Sequence, residues 1–387
     1  MVIPIKQGIE IFLKDKHIAT IDLKSGNVDI INPKLLPVNL NLCENPKEIS
    51  DYVQNIDNFR TWCASRTLMM SQKHAKLICN ALNLSQVNSN ENKAKIAMVY
   101  HCSTLLDSYW IREIGSTITF DKVSLFQNKS RNILTPISLL GKTESLFNKK
   151  LKNWSDLGVD GTLAKSWVRE NNTYYLYKTG DNLSGETLAS KILDQISANH
   201  VSYDFDTIDD TNVVKSKCFT NEVYSFIPYS DFVSKYDLAA ISQITSKFME
   251  EYANMVVACY ITGNEDLHQG NWGLLRNNDT GEITGLAPLF DFDGCFLNYY
   301  SSKNLYFLPE ARFLLENGVE TAINNFDIDL DYDIVGPTIE EAALKYAPYC
   351  SLNLDGIIIN DIPEKYREEL QKRCQLIIEK QKNILER

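Results

Sequence analysis

A polar segment, residues 262–273 (TGNEDLHQGNWG), follows a long apolar stretch and limits the folds that this chain can adopt. Within this segment Asp266 and Asn271 stand five positions apart. A second segment, residues 286–294 (LAPLFDFDG), places Asp291 directly after a short apolar run, a pattern that predicts the end of a strand. The fold must therefore deliver a polar loop from the end of a helix and bring a strand end close to it.

These three side chains suit metal-assisted phosphoryl transfer. Asp266 can orient an attacking hydroxyl and accept its proton, while Asn271 and Asp291 can hold Mg²⁺ on phosphates. The alternative is a pair of ordinary turns, since Asn, Asp and Gly are common turn residues. His268 can either steady the loop or transfer a proton. The coincidence of His268 and Asn271 with the Asp-Phe-Asp-Gly run favours the catalytic interpretation.

Composition narrows the class of protein. With 387 residues and 44% hydrophobic content, the chain can form two or three domains with sizeable cores. A formal charge of -11 disfavours nonspecific binding to nucleic acid or to an anionic membrane. The 9 cysteines form no CxxC pair, which predicts reduced thiols. No apolar window of about twenty residues is visible, so we expect neither a membrane span nor a signal peptide, and a cytoplasmic protein.

Hydrophobic periodicity changes along the chain and predicts three domains. They are an N-terminal subdomain with a β-meander and helices (1–145), a β-rich block (146–230) and a helical part (231–387). The meander is expected over residues 8–36, with helices over 46–109 and a loop at 86–95.

The β-rich block contains a candidate phosphate-binding segment. Residues 157–168 predict a strand, a glycine turn with Gly158 and Gly161, and a second strand. The next strand carries Lys178, and the glycine turn could lay backbone N–H groups over phosphates. An ordinary hairpin has the same pattern. Glu186 lies in the first turn of the following helix, where it could pair with Lys178 or simply favour the helix dipole.

Several other segments carry structural expectations. Residues 204–210 predict a solvated acidic loop, residues 218–228 a strand, residues 237–261 one long helix, and residues 363–386 a packed terminal helix. The acidic run at 327–333 lacks the glycine and glutamate that an EF-hand loop requires. Further upstream, Arg60 and Arg66 could bind an anion, although packing and ion pairing are the commoner roles of such arginines.

On these residues the chain resembles the HipA-like bacterial serine/threonine kinases, including variants common in Firmicutes. The matching features occur in order along most of the chain: residues 35–38, 106–111 and 160–167, Lys178, the helix with Glu186, and residues 264–271 and 286–291. The resemblance implies a two-lobed, kinase-like α+β fold with an extra N-terminal subdomain and a mostly helical C-lobe.

The resemblance also implies roles for individual residues. Asp266 would be the catalytic base, and Asn271 and Asp291 the Mg²⁺ ligands, with His268 steadying the catalytic loop. The expected ATP-binding set is Lys178, Glu186 (as the partner of Lys178), Gly158, Gly161 and Lys165. Asp293 would either assist Asp291 or cap the next turn.

Two departures from the family bear on activity. Relatives that inactivate themselves phosphorylate a serine at the glycine-rich loop, whereas the nearest hydroxyls here belong to Ser155, Thr162 and Ser166. Many of the Firmicutes relatives have Arg after the catalytic Asp. The chain has Leu267 at that position, as in the loop of aminoglycoside-type phosphotransferases.

The leading hypothesis is an ATP- and Mg²⁺-dependent kinase that phosphorylates Ser or Thr of a protein substrate. The resemblance adds the role of a toxin in a toxin–antitoxin pair, with an antitoxin as partner and no direct contact with nucleic acid or membrane. The alternatives are a small-molecule or lipid phosphotransferase with the same loop, and a catalytically silent binding or scaffold protein.

Overall fold

A computed structural model gives the fold of the chain. The residues that it describes are 8–128, 132, 134–143, 157–158, 161–236, 238–264, 266–267, 270–296, 339–358, 360 and 362–385. Their strands are β1 (Gly8–Leu13), β2 (Lys16–Asp22), β3 (Val28–Ile30), β4 (Tyr109–Glu113), β5 (Lys165–Glu170), β6 (Thr173–Lys178), β7 (Tyr203–Ile208), β8 (Thr211–Lys217), β9 (Tyr224–Pro228), β10 (Gly273–Asn277) and β11 (Ile283–Leu286).

The described helices range in length from 4 to 22 residues. They are α1 (Ile49–Ala64), α2 (Ala75–Ala81), α3 (Asn90–Val99), α4 (Phe120–Val123), α5 (Thr135–Leu140), α6 (Leu183–Gln195), α7 (Tyr229–Lys235), α8 (Leu238–Lys247), α9 (Met249–Thr262), α10 (Ile339–Tyr346) and α11 (Glu364–Leu385). No helix in this described part of the chain is long and apolar enough to cross a membrane.

The predicted N-terminal meander is present. Strands β1, β2 and β3 pair antiparallel, and β4 joins the free edge of β1, so the sheet order is β3-β2-β1-β4. Residues of these strands are buried together with residues of α1 and α3 in one core, which includes Ile11, Leu13, Ile18, Phe59, Trp62 and Ala94. On the other face of the sheet, Phe12 and Trp110 are buried against Phe120 and Val123 of α4.

The β-rich block forms a four-stranded sheet in the order β5-β6-β8-β7. Strands β5 and β6 make a hairpin whose turn residues, Asn171 and Asn172, both have positive φ values of 46° and 68°. Asparagine tolerates this left-handed conformation better than most residues do, so the turn fits its sequence. A further three-stranded sheet has the order β11-β10-β9.

The chain divides into two compact units. The first comprises Met1–Gly180, Asp206–Ile227 and Leu275–Thr284, and the second comprises Asp181–Phe205, Pro228–Leu274 and Gly285–Arg387. The first unit holds the meander sheet and most of the β5-β6-β8-β7 sheet, whereas the second holds helices α6 to α11. The predicted α+β class, with an N-terminal subdomain and a mostly helical C-terminal part, is therefore confirmed. The division into three domains, with boundaries at 145 and 230, stays a prediction.

Three predicted loops or helices differ from the structure. Helix α3 begins inside the predicted 86–95 loop, because Ser89 caps it by accepting a hydrogen bond from the Asn92 N–H. The acidic residues 204–210 mostly form β7, which pairs with β8 at the edge of its sheet and so tolerates exposed polar side chains. The predicted helix 237–261 is interrupted at Phe248, where α8 ends and α9 begins.

The remaining corrections concern strand ends. Residues 157–158 and 161–164 are not strand, and β5 begins only at Lys165. Within the predicted strand 218–228, only Tyr224–Pro228 is strand. The terminal helix is confirmed as α11. The acidic run at 327–333 lies outside the described residues.

Arg66 and Asp107 form a buried ion pair in the first unit. The Arg66 Nη1 and Nη2 atoms lie 2.8 and 2.5 Å from the two Asp107 oxygens, and Nε donates to the Cys102 carbonyl at 2.6 Å. Burial disfavours the charge of the guanidinium, but the adjacent Asp107 carboxylate more than offsets this and raises the pKa of Arg66. The guanidinium of Arg66 thus forms a two-point ion pair within the protein, which favours a role in packing and ion pairing over anion binding.

We expect Asp107→Ala to destabilise the protein by about 3–5 kcal/mol, because it leaves a buried guanidinium without its carboxylate. Chemical denaturation measures the loss. The matched control is Glu91→Ala, which removes an exposed ion pair with Lys95 and is expected to cost far less, because solvent screens an exposed pair. Equal losses in the two variants would contradict a structural role for the buried pair.

Candidate functional site

The polar segment, residues 262–273, leaves helix α9 through a defined C-terminal cap. Gly263 follows the helix with a φ of 63°, in the left-handed region that favours glycine. Arg373, a buried residue of α11, donates from Nη1 to the Tyr260 carbonyl at 2.6 Å. A cation at a helix C-terminus satisfies terminal carbonyls and complements the helix dipole. The end of α9, and hence the start of the loop, is held from outside the helix.

Asp266 and Asn271 are joined directly within this loop. The Asn271 Nδ2 group donates to the Asp266 carbonyl at 2.8 Å and to its carboxylate Oδ2 at 3.1 Å. Asn271 is buried, whereas Asp266 is exposed. Because Nδ2 donates to Asp266, the Asn271 amide oxygen is the atom of this side chain that suits a cation. The predicted proximity of these two residues is thus seen in the structure.

Asn264 connects this loop to Asp291. The Asn264 side chain is buried; its Oδ1 accepts from the Asp266 N–H at 3.1 Å, and its Nδ2 donates to the Asp291 carbonyl at 3.4 Å. A Cβ atom built on Gly294 would lie only 2.9 Å from the Asp266 Cβ, so the absence of a side chain at Gly294 permits the two loops to approach. Asp266, Asn271 and Asp291 are therefore brought into one neighbourhood of the second unit.

Asp291 has an unusual backbone conformation that its neighbours support. It does not end a strand as predicted: Leu289 forms only an isolated parallel bridge with His200, and Asp291 has a φ of 65°. The Asp291 N–H donates to the Tyr203 hydroxyl at 3.1 Å. Left-handed backbone at a non-glycine residue costs free energy and persists where surrounding contacts determine it. The Tyr203 hydroxyl is one such contact.

The N-terminus of α6 is tied to the same loop. Asn182 accepts from the Gly185 N–H through Oδ1, and its Nδ2 donates to the carbonyls of Asp293 and Cys295 at 2.8 and 2.9 Å. Glu186, in the first turn of α6, is buried. Burial raises the pKa of the Cys295 thiol well above its ordinary value, and the nearby charges of Glu186 and Asp293 act in the same direction.

In the first unit, two lysines of the candidate phosphate-binding segment are paired by strand register. Lys165 of β5 and Lys178 of β6 are direct cross-strand partners, so their side chains project from the same sheet face. Both are buried, with relative exposures of 6% and 2%. Two buried ammonium groups on one face require negative charge nearby, either from carboxylates or from a bound phosphate.

Glycine is required at one position beside these lysines. Gly161 has a φ of 106°, and a Cβ atom there would collide with Nζ of Lys165. The lysine head group therefore lies directly against the loop backbone. This arrangement fits a phosphate, which takes both backbone N–H groups and ammonium groups as partners.

The other predicted residues have different environments. Thr162 is exposed, whereas the Ser166 hydroxyl is buried 3.3 Å from the Thr135 hydroxyl. Leu267 is buried, so it anchors the loop by packing. Gly158 is also buried. His268 and Ser155 lie outside the residues that the structure describes, and the roles assigned to all the candidate site residues stay predictions.

The side-chain oxygens of Asn271 and Asp291 suit a particular kind of metal ion. Among the described residues, no three His, Cys, Asp or Glu side chains cluster as a metal site. Mg²⁺ does not require such a cluster, because it usually binds one or two carboxylates together with substrate phosphates and water. The amide oxygen of Asn271 and the carboxylate of Asp291 are ligands of this hard-oxygen type, so the residues fit a magnesium ion that arrives with a phosphate ligand.

Sequence reasoning missed the residues that position the site. Asn264, Asn182 and Tyr203 each bond a backbone atom of Asp266 or of the 291–295 segment. Asn264 lies inside the polar segment and could have been suspected as a local turn residue. Nothing in the sequence links Asn182 or Tyr203 to a segment about ninety or more positions away.

Comparison with protein-family models and with curated proteins finds no match. Solved structures do match, among them the following two. One, described as the Helicobacter pylori proinflammatory kinase CtkA, has a TM-score of 0.39 and 21% identity, covering 57% of this chain and 94% of that one. The other, the Shewanella oneidensis toxin–antitoxin system HipA, HipB and operator DNA complex, has a TM-score of 0.48 and 10% identity, covering 97% of both chains. These likenesses concern the fold alone.

We expect Tyr203→Phe to loosen the Asp291 backbone, because it removes the hydroxyl that accepts the Asp291 N–H. The free energy of unfolding should fall by about 1 kcal/mol. Hydrogen exchange of peptides that contain Asp291 should become faster than in wild type. Tyr349→Phe is the control, since Tyr349 is 56% exposed in the same unit and should leave exchange at Asp291 unchanged. Identical exchange in Tyr203→Phe and wild type would contradict the positioning role.

Proposed function

We propose that this protein is an ATP- and Mg²⁺-dependent kinase that transfers the γ-phosphate to a Ser or Thr hydroxyl of a protein substrate. The observation that carries the proposal is the hydrogen bond from the buried Asn271 amide to the exposed Asp266 carboxylate, at 3.1 Å. It joins a candidate base to a candidate metal ligand at the loop spacing that phosphoryl transfer uses.

Asp266 is the base in this proposal. Its carboxylate accepts the proton of the acceptor hydroxyl as the hydroxyl oxygen bonds to the γ-phosphorus and the bond to the bridging oxygen of the leaving ADP breaks. Exposure of Asp266 leaves this carboxylate accessible to an acceptor. The Asn271 amide donates to Asp266 Oδ2, which orients the other oxygen for proton transfer.

Asn271 and Asp291 are the proposed magnesium ligands. When bound, Mg²⁺ would neutralise charge on the phosphates and orient them for in-line transfer. The bond from the Asp291 N–H to the Tyr203 hydroxyl and the two bonds of the Asn264 side chain hold the Asp291 backbone relative to Asp266. The proposal assigns nucleotide binding to Gly158, Gly161, Lys165, Lys178 and Glu186, and it leaves His268 the role of steadying the catalytic loop.

A small-molecule phosphotransferase is the second candidate, and Leu267 is the observation that favours it. An apolar residue occupies the position after the base, as in aminoglycoside-type enzymes, and its side chain is buried. The loop therefore presents no cation at position 267 that could recognise a phosphate acceptor. The phosphate transfer assigned to this loop is compatible with several classes of acceptor.

The partner proposal follows from the sequence resemblance. A toxin kinase would be paired with an antitoxin protein, would act in the cytoplasm, and would leave DNA contacts to that partner. The acidic chain, with its formal charge of -11, favours contact with nucleic acid through a partner over direct binding.

Asp266→Asn should lower phosphate transfer by at least about 100-fold, because it removes the base but preserves side-chain size. The measurement is transfer from labelled ATP in the presence of Mg²⁺ and cell lysate. Asp57→Asn, at an exposed helix position, is the control and should retain wild-type activity. Unchanged activity in Asp266→Asn would refute the catalytic assignment. Absence of transfer by the wild-type protein would favour the scaffold alternative.

Identification of the labelled product separates the two enzyme candidates. We expect phosphoserine or phosphothreonine in a protein acceptor, because the proposal requires a side-chain hydroxyl. Parallel reactions with proteins removed from the lysate by filtration supply the control. Faster labelling of a small hydroxylated compound or a lipid than of any protein would decide for the second candidate.

A further inference from the structure

Residues 72 to 74 of the N-terminal subdomain each lie within hydrogen-bond distance of a backbone carbonyl elsewhere in the first unit. Gln72 donates from Nε2 to the Lys165 carbonyl at 3.2 Å, and the Lys73 backbone N–H donates to the Thr162 carbonyl at 2.8 Å. The next residue, His74, has Nδ1 3.2 Å from the Ser138 carbonyl in α5. Two of these contacts thus lie on the glycine-rich segment, the stretch that contains Gly158 and Gly161 and leads into β5.

Hydrophobic packing fixes the start of the same segment. Leu157, the residue before Gly158, is buried in a cluster formed by Leu68, Ala75, Ile78, Cys79, Leu134 and Ile137. Most of these residues come from the stretch 68–79, which also contains Gln72 and Lys73. This stretch therefore contacts the glycine-rich segment near its beginning, in its middle and at its junction with β5.

The stretch contains two unfavourable features that a mere packing surface would not need. Gln72 is 5% exposed, and its Oε1 atom has no hydrogen-bond partner among the described residues. Burial of an amide oxygen in this way costs free energy. His74 has a φ of 67°, a left-handed conformation rare outside glycine. Such features concentrate at functional positions where surrounding contacts impose them.

We propose that Gln72 and Lys73 are positioning residues for the glycine-rich segment, so that the N-terminal subdomain sets the geometry of nucleotide binding. The inference rests on the proposed function. Gln72 holds the backbone of Lys165, whose ammonium group lies against Gly161. Lys73 holds the backbone of Thr162, which lies between Gly161 and Lys165 in the sequence. Loss of these bonds would let the loop and its lysine move away from the phosphates.

The decisive variant is Gln72→Leu, which removes the donor to Lys165 and also the unpartnered oxygen. Gln54→Leu is the matched control, because Gln54 is exposed on α1 of the same subdomain and bonds only locally, to Asn58. Gln72→Met serves as a second variant if Gln72→Leu folds poorly. Each full-length protein is compared in ATP binding with Mg²⁺, in ATP turnover, in melting temperature, and in hydrogen exchange of peptides that contain Lys73.

We expect Gln72→Leu to raise the Kd and KM for ATP by about fivefold, the effect of losing one hydrogen bond that acts on the ligand-binding state. The kcat at saturating ATP should stay within about twofold of wild type, since Asp266 and the metal ligands are untouched. Exchange at Lys73 should become faster without nucleotide, and the melting temperature should change no more than in Gln54→Leu.

Two results would overturn the inference. One is an unchanged Kd with unchanged exchange at Lys73. The other is weaker ATP binding that only parallels a large fall in melting temperature, which would indicate general destabilisation. If the wild-type protein bound no ATP, the proposed function and the ligand part of this inference would fall together. In that case unchanged exchange at Lys73 in Gln72→Leu would also refute the positioning role of Gln72 and Lys73.

Discussion

The arrangement of the candidate site depends on the buried side chain of Asn264. Its two ends satisfy an N–H of the Asp266 loop and a carbonyl of the Asp291 loop, so one amide sets the separation of two segments far apart in sequence. An apolar residue of the same size would leave the Asp266 N–H and the Asp291 carbonyl without the hydrogen bonds that Asn264 makes. The backbones of Asp266 and Asp291 are thus held relative to each other by a residue outside the predicted catalytic set.

Strand register makes a comparable constraint in the first unit. Because Lys165 and Lys178 are opposite one another, slipping the β5–β6 hairpin by one residue would send one ammonium group to the other sheet face. The two-asparagine turn determines the hairpin length, so a local feature of the turn determines where two charges meet. Charge placement in this unit is therefore a consequence of backbone pairing.

Sequence spacing predicted which candidate residues lie close together better than it predicted the residues that support them. Spacing alone joined Asp266 to Asn271, and alternation correctly placed Lys178 on a strand. The prediction of a strand end at Asp291 was wrong, because hydrophobic pattern cannot distinguish a continuous strand from an isolated bridge followed by left-handed backbone. The acidic β7 was likewise missed, since an edge strand can expose carboxylates that composition alone assigns to a loop.

The supporting residues that escaped prediction form hydrogen bonds to backbone atoms. Tyr203, Asn182 and Gln72 each bond a main-chain N–H or carbonyl across a large sequence separation. A backbone group is present whatever residue occupies the position, so such a contact imposes no pattern on the sequence of its partner. Motifs consequently name candidate side chains for phosphoryl transfer, whereas the tertiary structure is needed to show which residues hold those side chains in place.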